Sequence, residues 1–180
     1  MNKTRFGAFA RTCAVALAVA TAGTAYAADS TPMLHAEGSV ELKESPDRVW
    51  AVVGDFLGIH RWHPGIKGTT LLEGENKRPL AVRQLDLGEG QWLISELLEW
   101  DGQRRALRYR ILKSPLPFVN YVATYAVSAT PNGGSVFTWK ADFRRRPSGV
   151  EAGTDDAAVV GLVKSVIDGG IGNLPKALGE

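Results

Sequence analysis

Residues 91–100 read QWLISELLEW, and the period of two that a β-strand imposes sends Trp92, Ile94, Glu96, Leu98 and Trp100 to one face. Four of these are large and apolar, so the face belongs in a core, and Glu96 stands in the middle of it. A buried carboxylate is costly unless it is paired or wet. The stretch therefore calls for a partner or a cavity, or else for a one-residue bulge that turns Glu96 outward.

Around this stretch, residues 66–146 form a series of short alternating segments. Turn residues separate them at 74–77, 88–90, 101–102, 114–117 and 131–134, which predicts six strands in an antiparallel meander. The same parity places Ala81, Leu85 and Leu87 on an inner face with Arg83 among them. It places Leu107 and Ile111 there with Tyr109, and Ala123, Tyr125 and Val127 with Tyr121. Phe137, Trp139, Ala141 and Phe143 complete the face. Arg83, Glu96, Tyr109 and Tyr121 are thus expected to meet on four consecutive strands, with Trp92 and Trp139 as further lining. The plainer alternative is a cross-strand ion pair with tyrosines at the rim of a core.

Upstream, residues 34–42 alternate as a half-buried strand. Ser45 then caps a short helix over 46–53, with Pro46 at its first position and Asp47 at the positive end of its dipole. GIHRWHPGI at 58–66 reads as a loop or single helical turn. Residues 154–178 space Val159, Leu162 or Val163, Val166, Ile167, Ile171, Leu174 and Leu178 as an amphipathic helix, with Gly169, Gly170, Gly172 and Pro175 expected to bend it. The economical assembly is an α+β fold in which a seven-stranded antiparallel sheet curves around the long C-terminal helix.

The first 27 residues carry Lys3, Arg5 and Arg11, then an uncharged apolar stretch, then Ala25-Tyr26-Ala27 in small-x-small form. This predicts a cleavable signal peptide, a single domain over 28–180, and a periplasmic or secreted location. The uncharged run at 12–28 falls short of the ~20 residues of a membrane span. Cys13 lacks the flanking residues of a lipidation site. Without the leader the chain keeps 18 basic against 19 acidic residues and no cysteine. That balance argues against a nucleic-acid binder, and the absence of cysteine leaves stability to packing alone. Nothing in the sequence signals a protein partner.

The segments VWAVVGDFLGIHRWHPGI, AVRQLDL, SELLEWD, LRYRI and LPFVNYVATYAV resemble the START/Bet v 1-like (SRPBCC) superfamily, in particular its polyketide cyclase/dehydrase group. They are also similar to the branch containing plant lachrymatory-factor synthase and, more remotely, to the abscisic-acid receptors. The resemblance spans about residues 39–178. It implies a helix-grip fold with a ligand cavity between sheet and helix. It further implies cavity residues at Arg83, Glu96, Tyr109 and Tyr121, although Ser95 and Leu97 replace the basic residues that flank the synthase's glutamate.

Such a set permits two functions. In the first, Glu96 moves a proton beside an oxygen held by Arg83, with Tyr109 and Tyr121 orienting the substrate, in an isomerisation, cyclisation or dehydration without a cofactor. In the second, the protein only binds or carries a small hydrophobic molecule. A cavity filled by side chains would favour a third, purely structural role. His60, Trp62 and His63 are expected in a lid at the cavity mouth, opposite the turn at 114–117, with His60 a reserve acid or base. His60 and His63 with Asp55 make too few ligands for a metal, so none is expected.

Overall fold

The computed structural model describes residues 31–147 and 155–180. The expected leader lies outside them. Seven strands are present: β1 (Leu34–Leu42), β2 (Gly68–Glu73), β3 (Val82–Gly88), β4 (Gln91–Asp101), β5 (Ala106–Lys113), β6 (Phe118–Ala129) and β7 (Ser135–Arg145). All pairings are antiparallel, in the order β1-β7-β6-β5-β4-β3-β2. The meander thus continues from β2 to β7, and β1 returns to pair with β7. Two helices complete the fold, α1 (Pro46–Val53) and α2 (Asp156–Leu178), with a 3-10 turn at Ile59–Arg61.

The helix ends follow from local chemistry. The hydroxyl of Ser45 accepts from Arg48 N, and Pro46 costs nothing in the first turn, where its missing N–H has no partner to lose. Asp155 caps α2 by accepting from Ala158 N at 2.8 Å, and Gly179 ends it in the left-handed region at φ 90°. The glycines and Pro175 do not interrupt α2, which runs as one helix across the sheet.

Its apolar stripe (Val159, Val163, Ile167, Ile171, Leu174 and Leu178) is buried against the inner face of the sheet. By length and composition α2 is apolar enough to cross a membrane, yet this stripe belongs to the core. Two glycines set how closely the helix sits. At Gly38 of β1, a Cβ would lie 2.8 Å from Ile171 Cδ1 and 2.9 Å from Ile167 Cγ2. At Gly170 of α2, a Cβ would lie 2.6 Å from the His63 ring and 3.1 Å from that of Trp139.

Gly170→Ala weighs two effects against each other. Ala gains up to ~1 kcal/mol of helix propensity over Gly, whereas forcing a methyl into packed rings costs about 1–3 kcal/mol. The rings are wedged between sheet and helix, so the variant is expected to lose about 1–2 kcal/mol in urea unfolding. A net gain would contradict this seating of α2.

Candidate functional site

β3, β5, β6 and β7 follow the alternation expected of them. Arg83, Leu85, Leu107, Tyr109, Tyr121, Ala123, Tyr125, Val127, Phe137, Trp139, Ala141 and Phe143 are all buried. β4 departs from it. Its inward residues are Leu93, Ser95 and Leu97; Leu97 pairs with Tyr109, and Ser95 Oγ accepts from Arg83 Nε at 3.0 Å. The register against β5 then slips between Leu97 and Glu99, so that Trp100 is also inward, opposite Leu107. There its ring packs on Trp50 at 5.7 Å and its indole N–H donates to Gly54 O at 2.8 Å.

The bulge reverses the expected face for everything before it. Glu96 points to the convex side, where Arg110 Nε donates to its carboxylate at 2.5 Å. Trp92 is on that side too, 4.8 Å beneath the Lys113 ammonium. Neither residue lies with Arg83. The expected Arg83–Glu96 pair is therefore corrected to Arg110–Glu96 on the outer face, and Trp92 is not part of the inner wall.

Inside, a cavity of about 50 Å³ lies between sheet and α2. Tyr109, Tyr121, Trp139 and His63 line it together with aliphatic residues, including Leu93, Ile111, Leu162 and Val166. Trp62 sits one layer behind, fully buried, edge-on to Trp139, Tyr125 and Phe137 at 5.9–6.0 Å. His60 is exposed, with its Nδ1 against Thr69 Oγ1 at 3.2 Å, and does not reach the cavity.

The lid is His63. Its Nε2–H donates to Val166 O at 2.8 Å and its Nδ1 accepts from Gly65 N at 3.1 Å. Asn173 Nδ2 donates to Trp62 O at 2.9 Å, which gives the segment a second tie to α2. Sequence parity could not select His63, because it lies in an irregular segment with no alternation to read. The two imidazoles diverge, and Asp55 is taken by Asn76, Arg61 and the backbone of Leu57. Among the described residues no three metal-ligating side chains converge.

Arg83 belongs to the inner face but lies beneath Tyr109 and does not line the cavity. Its Nη1 donates to Phe56 O, its guanidinium rests 3.8 Å from the Phe56 ring centroid, and Tyr109 is 5.5 Å away. Among the described residues it has no carboxylate at ion-pair distance. Its Nη2 has no acceptor. The indole N–H of Trp62, that of Trp139 and the Tyr125 hydroxyl are likewise buried without partners. Tyr109 stands near Tyr121, Tyr125 and Trp139, but Tyr125 and Trp139 complete no hydrogen bond. Burial holds all three phenols above their ordinary pKa, so they remain neutral donors. One aromatic cluster thus holds four unmatched donor groups and a positive charge.

A long helix held by a seven-stranded sheet over an apolar cavity defines the helix-grip class. Within it, the chain belongs to the polyketide cyclase / dehydrase and lipid transport family, which it matches over residues 33–179. The XoxI protein of Bacillus cereus is similar in structure, with TM-score 0.71 and 26% identity over 81% of this chain and 96% of that one. An uncharacterized protein of Bacillus thuringiensis is similar at TM-score 0.71 and 26% identity, over 82% of this chain and 100% of that one. The Zhui aromatase/cyclase of Streptomyces sp. R1128 shares the fold at TM-score 0.66 and 21% identity, over 82% and 93% of the two chains. These neighbours do not single out the lachrymatory-factor-synthase branch. No curated protein matches the sequence.

Two expectations follow. Burial holds the His63 pKa below its ordinary ~6.5, against its backbone hydrogen bonds. Above that value the imidazole is neutral folded or unfolded; below it the unfolded chain protonates first, so stability falls with pH. Wild-type Tm should therefore drop more steeply from pH 7 to pH 5 than that of His63→Gln; parallel slopes would refute the assignment. Glu96→Gln, which alters only the convex face, should leave the affinity of an uncharged cavity ligand unchanged in calorimetric titration; a loss would return Glu96 to the cavity.

Proposed function

We propose that the protein binds and carries a small apolar or aromatic molecule bearing carbonyl or phenolate-type oxygens, and that it does so without chemistry. The observation that carries this reading is the buried, unmatched indole N–H of Trp139 on the wall of an apolar cavity, backed by the unmatched donors of Trp62, Tyr125 and Arg83 in the layer behind it. Each such group costs about 1–3 kcal/mol when buried without an acceptor, and ligand oxygens supply acceptors. The Arg83 charge, beneath Tyr109, favours a partially negative oxygen there.

Proton-transfer catalysis has less support. With Glu96 on the convex face, no carboxylate among the described residues lines the cavity, and both nitrogens of His63 are engaged. The phenols are held too high to act as bases at neutral pH. The cavity's 50 Å³ is far below the ~300–1,000 Å³ of a drug-sized site, so binding requires its walls to move apart. The leader sequence supports carriage outside the cytoplasm. N-terminal sequencing of the protein from its native host should begin at Ala28; retention of Met1 would refute export by cleavage.

The pair fluorene and 9-fluorenone differs by one carbonyl and tests the donor cluster. Trp139→Phe keeps an aromatic ring but loses the N–H together with the rest of the indole, so fluorenone should weaken by about 1 kcal/mol, roughly fivefold, more than fluorene does. Equal losses for both would reduce Trp139 to a packing residue. Binding of neither ligand by the wild type would count against an aromatic ligand.

A further inference from the structure

β5 and β6 pair only as far as Arg110 and Val122, although β5 runs on to Lys113 and β6 begins at Phe118. Beyond that pair the two strands part. A pocket of about 570 Å³ opens over the gap, and Ile111, Phe118 and Tyr121 line both this pocket and the inner cavity. These three side chains therefore stand between the outer pocket and the inner cavity. β6 is also distorted here: its register against β7 slips between Val119 and Val122, and Asn120 adopts φ 53°. Asn tolerates that left-handed backbone better than most residues.

The rim of the gap is cationic. Arg110 is committed to Glu96. Lys113 only rests over Trp92, and Arg146 donates Nη2 to the carbonyls of Ser114 and Leu116 while its Nε finds no acceptor. Among the described residues neither Lys113 nor Arg146 has a carboxylate at ion-pair distance. The lid, by contrast, is held to α2 by the His63 and Asn173 hydrogen bonds. Of the three side chains of the partition, Ile111 and Phe118 carry no polar group, and the Tyr121 hydroxyl faces Tyr109 and Trp139 within the sheet, not α2.

We infer that the gap between β5 and β6 is a side entrance to the cavity, and that it receives an amphipathic carboxylate. The carboxylate rests on Lys113 and Arg146 at the convex rim, while the apolar body passes between Ile111, Phe118 and Tyr121 and carries a second, carbonyl-type oxygen to the donor cluster; decanoate, lacking that second oxygen, probes the entrance alone. This rests on the cavity-binding reading above and adds the ligand's charge, orientation and route.

Decanoate and its methyl ester share a chain and differ in charge, and both are titrated against the wild-type protein, Lys113→Glu, Lys113→Glu/Arg146→Gln and Leu162→Trp. Lys113→Glu should raise the Kd for decanoate roughly tenfold and leave the ester unchanged, with a larger effect in the double variant. Equal weakening of both probes, or no change for decanoate, would overturn the side entrance. Leu162→Trp fills the cavity and should abolish binding of both probes. Wild-type affinity for both in that variant would overturn the cavity reading itself, whereas loss there with no effect of Lys113→Glu overturns only the entrance.

Discussion

A guanidinium buried without a carboxylate is the constraint on which the interior of this protein depends. Arg83 is 1% exposed, with a single neutral hydroxyl, one backbone carbonyl and two aromatic faces to receive its charge. Such a charge is expensive, and an apolar residue of similar volume often serves stability as well or better. What it provides here is a positive potential beneath Tyr109, at the closed end of an aromatic cluster. The indoles of Trp62 and Trp139 and the Tyr125 hydroxyl add donors to the same region. The inner face is thus rich in donors and, among the described residues, has no anion of its own.

The cavity and the means of opening it follow from the packing around that cluster. Trp62, Tyr125, Phe137 and Trp139 meet edge to face and occupy much of the concave surface, so only a small void remains under α2. Gly170 lets the helix settle directly onto His63 and Trp139. The lid side is consequently tied by both rings and hydrogen bonds, while the sheet itself opens between β5 and β6. Rigidity and access are assigned to different walls of the same cavity.

Most of the architecture was legible in the sequence because alternation and capping are local signals. Every strand, both helices and the C-terminal stripe of α2 can be read from residue spacing, as can the inner face of β3, β5, β6 and β7. The failure is confined to β4. Leu97 and Trp100 are both inward, and counting back in twos from Trp100 puts Leu98, Glu96, Ile94 and Trp92 on the wrong face. A run such as Leu97-Leu98 has no polar residue to mark which leucine is the extra one, and the bulge is fixed by Leu97 meeting Tyr109 while Trp100 reaches Trp50 and Gly54. The candidate site inherited that error, and Arg83, although on the inner face as expected, lies beneath Tyr109 and not on the cavity wall. Arg83, Tyr109, Tyr121 and Trp139 share the inner face, whereas Glu96 and Trp92 do not. His60, Trp62 and His63 sit where no periodicity applies, and only tertiary contacts distinguish surface, core and lid among them.

The central claim is that ligand oxygens are received by the buried donor cluster, and the indole N–H resonances of the protein report on it directly. Trp62 and Trp139 carry unpaired buried N–H groups, Trp100 is already bonded to Gly54 O, and Trp92 stands on the opposite face of the sheet. In a 15N-labelled sample titrated with 9-fluorenone, the Trp62 or Trp139 indole signal should move downfield while those of Trp92 and Trp100 stay in place. Saturable binding that moves only Trp92, or none of the indole signals, would contradict the account.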